Sequence, residues 1–295
     1  MIDLTTLIPA LLVAATPILF AALGELIVEK SGVLNLGVEG MMITGALAGF
    51  AAAVATGSPM MGFVAAALAG AAIAMLFALL TQYLLANQVA SGLALTLFGL
   101  GLAALFGKPY EGIKAPAMTS GPLGLNWMIW VGIAMVPVIW WFLNRTRGGL
   151  ILRGVGENHD AAHGLGHPVR RVRIAAIGFG GAMAGMGGAF ISIAIVLQWT
   201  EGMTAGAGWI ALAIVVFSNW TAPGVLAGAC LFGGVTALQL RLQAAGVAVP
   251  VQLLSMAPYL ATIAVLVLIS ARQKFSRRAG TGAPGSLGQN FHALR

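Results

Sequence analysis

Apolar residues run along this chain in blocks of about twenty, separated by short polar stretches. A helix that crosses a membrane needs roughly 17–25 mostly apolar residues. Nine blocks are candidates, with soft boundaries: about 7–27, 32–55, 60–83, 89–107, 127–143, 172–197, 205–219, 222–241 and 251–270. The seventh is short enough to be a broken or half-inserted element. The second opens on Gly, Asn and Glu, which suits a re-entrant start. The pattern predicts an all-α polytopic membrane protein with about nine transmembrane helices, within a range of eight to ten. Residues 1–271 form one transmembrane domain that includes a polar loop at 144–171. The Gly/Ser/Pro-rich stretch 272–295 is expected to be a disordered tail.

Composition agrees. Of the 295 residues, 59% are hydrophobic and 8% charged, against about 25% charged in a soluble domain. Mean hydropathy is +0.96. Such a chain cannot cover itself with a water-compatible surface. No Lys or Arg precedes the first apolar block, so that block reads as a retained span rather than a cleaved signal. The single cysteine, Cys230, lies in an apolar run and offers neither an intrachain disulfide nor metal-ligand spacing.

The net charge of +7 raises the question of nucleic acid, and its placement answers it. With alternating spans, twelve of the 15 Lys and Arg fall on one side, leaving only Lys108, Lys114 and Arg241 on the other. The positive-inside rule puts the 144–171 loop and the C-terminus in the cytoplasm and the N-terminus outside. Arginines facing anionic headgroups account for the charge, and no nucleic-acid partner is expected. Trp127 and Trp130 at one end of the fifth block, with Trp140 and Trp141 at the other, fit two interfacial belts. The pairs Gly45/Gly49, Gly181/Gly185 and Gly224/Gly228 predict closely packed helices.

The stretch "RGVGENHDAAHGLGHPVRRVR" (153–173) is a charged island in this apolar chain. Asn158 is a good N-cap, Asp160 suits the first turn, and Ala161 and Ala162 are helix formers. Gly164 or Gly166 ends the helix and Pro168 prevents a restart. The expected product is a short cytoplasmic helix over about 158–163, followed by an Arg170–Arg173 anchor at the lipid surface.

These residues carry a resemblance. "LRGVGENHDAAHGLG" is similar to the coupling-helix region of ABC importer permeases of the ribose/branched-chain amino-acid family. "GELIVEKSGVLNLGVEGMMITGA" (24–46) resembles the nucleoside/purine-type branch, and "GWIALAIVVFSNWTAPG" and "SMAPYLATIAVLVL" add to the likeness over about residues 8–270. His159 stands where that family often has Pro. The resemblance implies a translocation subunit in a bacterial inner membrane. Its implied partners are a second permease chain, with a heterodimer favoured over a homodimer, a cytoplasmic ABC ATPase and an extracytoplasmic substrate-binding protein. Gly156, Glu157, Asn158, Asp160, Ala161, Ala162 and Gly164 would form the ATPase-coupling contact, with Ala161 and Ala162 seated in a groove of the ATPase. The chain has no Gly-x-x-x-x-Gly-Lys-Ser/Thr, so it is expected to bind no cofactor, with ATP and Mg on the partner ATPase and no enzyme activity of its own.

Other candidates are weaker. His159, His163 and His167 lie four apart, but the intervening glycines argue against one continuous helical face, and they read as loop histidines rather than a metal site. Glu39 lies about 10 Å into the second block by helical rise, where an ionisable residue is a functional candidate. Asn35 is placed to share a hydrogen bond with it. The alternative is that Glu39 holds a helix break by accepting backbone N–H groups. Glu25 and Glu29 read as an ordinary helix end. Gln88 and Ser91 join Asn35 and Glu39 as candidates for the translocation pathway or a helix break. Gln198, Glu201 and Trp209 are candidates for an outer gate or a binding-protein contact. An ion-coupled secondary transporter normally shows several buried ionisable groups and two inverted halves, and a membrane enzyme shows a catalytic set; neither is visible. The neutral polar groups within spans, Asn35, Thr44, Gln88, Ser91, Thr96, Ser192, Gln239 and Ser255, suit a neutral solute. The family branch points to nucleosides or purine-like bases, with simple sugars, branched-chain amino acids or a riboflavin-like vitamin as alternatives.

Overall fold

The computed structural model describes residues 4–119, 121–245 and 282–292, with isolated positions between 250 and 267; side chains are described from residue 7. Up to residue 245 the described residues form ten α-helices: α1 Leu4–Lys30, α2 Val38–Thr56, α3 Pro59–Ala78, α4 Gln88–Gly107, α5 Trp127–Arg145, α6 Arg147–Glu157, α7 His159–Gly164, α8 Val169–Phe190, α9 Ala207–Phe217 and α10 Ala222–Ala244. Single π-helical turns extend α3 to Tyr83 and α8 to Ile195. Among the described residues seven helices are long and apolar enough to cross a membrane. The seventh apolar block becomes the short α9. The ninth, 251–270, lies mostly outside the described residues, Ser255 included.

α1 and α8 form the centre, with α8 packed against α1, α2 and α3. Glycine makes this approach close. A Cβ on Gly188 would sit 1.9 Å from the Met42 carbonyl oxygen, and one on Gly70 would sit 2.1 Å from that of Gly181. The small residues read as helix-contact signals are therefore used within the chain: Gly45 meets Gly185, and Gly224 meets Ser218. Lipid-facing positions are apolar instead, with Leu68, Leu97, Leu105 and Phe106 all more than half exposed.

Two elements depart from simple spans. After α1, residues 31–37 turn back beside the helix before α2 begins, so Asn35 reaches Glu25. After α8, residues 197–199 bridge to 111–115 at one end of the bundle. The chain then turns inward to meet Glu39 and starts α9 there. α9 has 11 residues, about 16 Å, and ends near α1, where the Trp220 indole reaches Glu29. It covers part of the thickness, and the irregular 197–206 segment covers the rest.

Lys30, α6, α7 and residues 282–292 share one end of the bundle, here called the α7 face. The tail was expected to be disordered from 272; residues 282–292 instead pack against the helix ends. Loop composition without apolar periodicity argued for disorder, but backbone groups with fixed partners hold this stretch. Residues 272–281 and 293–295 lie outside the described residues.

Candidate functional site

The island folds as two helices at a sharp bend. Thr146 caps α6 by accepting the Gly149 N–H at 3.0 Å. Asn158 caps α7 by accepting the Ala161 N–H at 2.9 Å. The cap and helix are thus where the sequence places them. The orientation of the helix differs from expectation. Ala162 is buried against Val155, Val169 and Phe291 of the same chain, so it cannot seat in a partner's groove. The outward face carries Asp160, Ala161 and Gly164, with Glu157 and Asn158 exposed beside it, whereas Gly156 is buried against the Lys30 carbonyl. Leu165, 79% exposed at the end of α7, escaped the sequence reading. Its signal was a large apolar residue between two glycines in a polar loop.

Arg173 was expected at the lipid surface; it is fully buried. Its guanidinium donates to the Ser31 carbonyl at 3.2 Å, to the Gln289 carbonyl at 2.8 Å and to His159 Nδ1 at 3.2 Å. One side chain therefore ties the turn after α1, the C-terminal tail and α7. Desolvation of a buried guanidinium is tolerable only because each side of its fork is bonded. His159 sits against this charge, its Nδ1 accepting and so unprotonated. Burial, with Arg173 beside it, holds the imidazole below its ordinary pKa. His159 and His163 both meet the Phe291 ring edge-to-face, at 5.5 and 5.2 Å. Among the described residues no group of three or more His, Cys, Asp or Glu could hold a metal.

The tail works as a strap across the α7 face. Ser286 N–H donates to the Gly156 carbonyl, and Gly288 N–H to that of Gly32. Asn290 donates to the Leu85 and Ala86 carbonyls, between α3 and α4. Gln88 belongs to this system. It accepts from Leu34 N–H and donates to Gln289 O and Asn290 Oδ1, so its polar atoms are engaged within the chain.

Glu39 anchors the second site. Its carboxylate accepts the Thr204 hydroxyl at 2.5 Å and the N–H groups of Gly206 and Gly208 at 2.9 and 2.7 Å. These amides are the free donors at the start of α9, where the helix dipole also favours an anion. Ala205 and Gly206 are both left-handed, at φ 45° and 83°, a turn that glycine adopts readily and alanine does not. Asn35 does not reach Glu39. It bonds Glu25 and its own Gly37 N–H. Glu25 and Glu29 are buried rather than a plain helix end, and Glu29 accepts the Trp220 indole N–H. Trp209 lies in the first turn of α9 at the level of Glu39, 47% exposed, away from Gln198 and Glu201 at the bundle end. Ser91 is buried against the bundle.

Several polar groups expected to greet a solute are satisfied internally. Thr44 bonds the Gly40 carbonyl, Thr96 that of Leu36 and Ser192 that of Ala46. Their number therefore says little about what passes.

The described residues thus form a helical bundle with an irregular segment in its midst and a short capped helix at one face. Residues 7–270 match the family described as branched-chain amino acid transport system / permease component. The chain belongs to this family, and so to the permease subunits of ABC transporters. It is 39% identical to the putative glucose ABC transporter permease protein TsgC13 of Haloferax volcanii, over 97% of each chain. It is 31% identical to the guanosine ABC transporter permease protein NupQ of Bacillus subtilis, over 89% of this chain and 91% of that one. A second guanosine permease of that organism, NupP, is 24% identical over 74% of this chain and 69% of its own.

Proposed function

We propose that this permease carries nucleosides or purine-like bases inward across a bacterial inner membrane, driven by ATP hydrolysis on a separate chain. The observation that carries the reading is Trp209: a half-exposed indole at the start of a broken helix, at the depth where Glu39 holds the break. Substrate sites of helical transporters form where helices are discontinuous, and an indole face stacks on a planar ring. The guanosine permease NupQ supports a nucleoside. TsgC13, named for glucose, supports a second reading, since sugar rings also pack on tryptophan.

The exposed face of α7 is the proposed ATPase contact, with Ala161, Gly164 and Leu165 forming the seat and Glu157, Asn158 and Asp160 its rim. The ATPase would carry ATP and Mg, while this chain binds neither. An external binding protein would meet the opposite end, near Gln198 and Glu201, with the N-terminus on that side and α7 and the C-terminus in the cytoplasm. Uptake of labelled guanosine, ribose and glucose into cells with and without the gene tests the substrate. Loss of guanosine uptake alone is the expected result. Unchanged guanosine uptake with lost sugar uptake would replace the nucleoside by a sugar.

A further inference from the structure

Two cavities of about 340 and 410 Å³ open side by side on the α7 face and share two lining residues, Lys30 and Arg153. One is completed by Glu157 and Pro284, the other by Trp140, Asn144 and Thr221. The Lys30 ammonium donates to the Gly282 carbonyl at 3.0 Å, one of the three bonds it can make. Arg153 Nε is buried with no hydrogen-bond partner among the described residues. Arg153 lies close enough for its charge to act on Lys30, and Glu157 and Glu29 act on Lys30 in the opposite sense. Neither forms an ion pair among the described residues. Of the nearby acids, Glu29 is engaged by Trp220 and Glu157 lines only the first cavity. Like charges facing one open space, with a buried donor unused, are unfavourable unless an anion completes them.

We propose that this double cleft binds a phosphate ester, its anionic group held between Lys30 and Arg153. A guanidinium fork and an ammonium are the two side chains that suit phosphate oxygens. The remaining polar lining of the larger cavity is uncharged and does not repel an anion. Its indoles and Leu143 give an organic arm an apolar wall. Phosphate ester chemistry has two sources here: an anionic phospholipid of the adjacent leaflet, or a soluble phosphate monoester. Either would neutralise Lys30, which holds the strap at Gly282, and Arg153, one turn before Glu157 at the entry to α7. The site is independent of which solute is transported.

The test uses the assembled transporter in phosphatidylcholine nanodiscs. In one arm phosphatidylglycerol is added in rising fraction and retained lipid is counted by native mass spectrometry. In the other, AMP is titrated and binding is read by calorimetry. Saturable binding in either arm, one ligand per copy of this chain, is expected and identifies the source. Lys30→Gln with Arg153→Gln should weaken it by at least ~tenfold, the scale of a lost charged hydrogen bond. Arg171→Gln, an exposed arginine outside the cleft, should leave it unchanged. If the double variant is not recovered, Arg153→Gln alone is judged by the same criterion. No saturable binding in either arm overturns the proposal. So does equal weakening by Arg171→Gln, which would mean general surface charge. Binding seen only after the ATPase is removed also overturns it, because the cleft would then belong to the ATPase's seat.

Discussion

Ala161 and Ala162 are neighbours in a six-residue helix and face opposite ways. Ala161 is exposed, whereas Ala162 packs on Val155, Val169 and Phe291. Arginine at the two positions should therefore fail differently. Ala162→Arg overpacks the chain's own core, at about 1–3 kcal/mol, and should lower the unfolding temperature of the purified permease. Ala161→Arg should leave that temperature unchanged while abolishing copurification with the ATPase or uncoupling its hydrolysis from transport. The reverse pattern would mean that α7 presents its other face. Glu39 offers a second contrast. Glu39→Ala leaves the Gly206 and Gly208 amides without their acceptor, at about 1–3 kcal/mol for each buried group. Glu39→Gln keeps one acceptor oxygen and should be intermediate in both thermal stability and uptake. Equal stability of all three forms would show that α9 needs no external cap. The cap at Asn158 was legible because its partner is local. The burial of Ala162 was not, because it depends on Phe291, far away in sequence, and Arg173 looked no different from Arg170 and Arg171 until its three partners were in place.

At the scale of elements, hydropathy blocks located the spans because a span must be apolar along its whole length. The breaks at 31–37 and before α9 were half legible through their glycines. The order of 282–292 was not legible, since its backbone groups and the side chains of Asn290 and Phe291 find their partners far away in sequence. Because Arg173 joins strap and helix through His159, this element should respond to pH. The folded imidazole is held below its unfolded pKa, so the contact contributes fully above that ordinary value, near 6.5. That contribution falls as pH drops toward the folded value, because protonating Nδ1 sets a cation against the guanidinium. The protection of amides 159–165, measured against their intrinsic exchange rate at each pH, should therefore fall between pH 7 and pH 5, and His159→Gln should flatten the response. Truncation after residue 281 should quicken the same amides at neutral pH while leaving those of α8 protected. Unaltered exchange in the truncated chain would show that the strap does not hold α7.

At the scale of the molecule, the glycine-rich helix faces are consumed inside the chain, as the contacts of Gly185 and Gly188 with α2 and α3 show. The GxxxG pairs therefore say nothing of a dimer, and pairing of two permease chains would use other surfaces. The stripe Trp209, Ala213 and Val216 along α9, at helical spacing and not buried, is the candidate. The substrate site proposed at Trp209 sits on a half-length helix, and a second permease opposite α9 would close it. The chain is nearer to NupQ than to NupP, two guanosine permeases of one organism, which suits one member of an unequal pair. We therefore expect a heterodimer. The measurement is expression of this chain, differently tagged in two copies, together with the second permease of its transporter. Purification through one tag should recover the second permease in equal amount and none of the other tagged copy, and Trp209→Ala should reduce uptake more than it reduces assembly. Recovery of both tagged copies in a complex that transports without the second permease would make the pathway a homodimer's, with α9 facing its own symmetry mate.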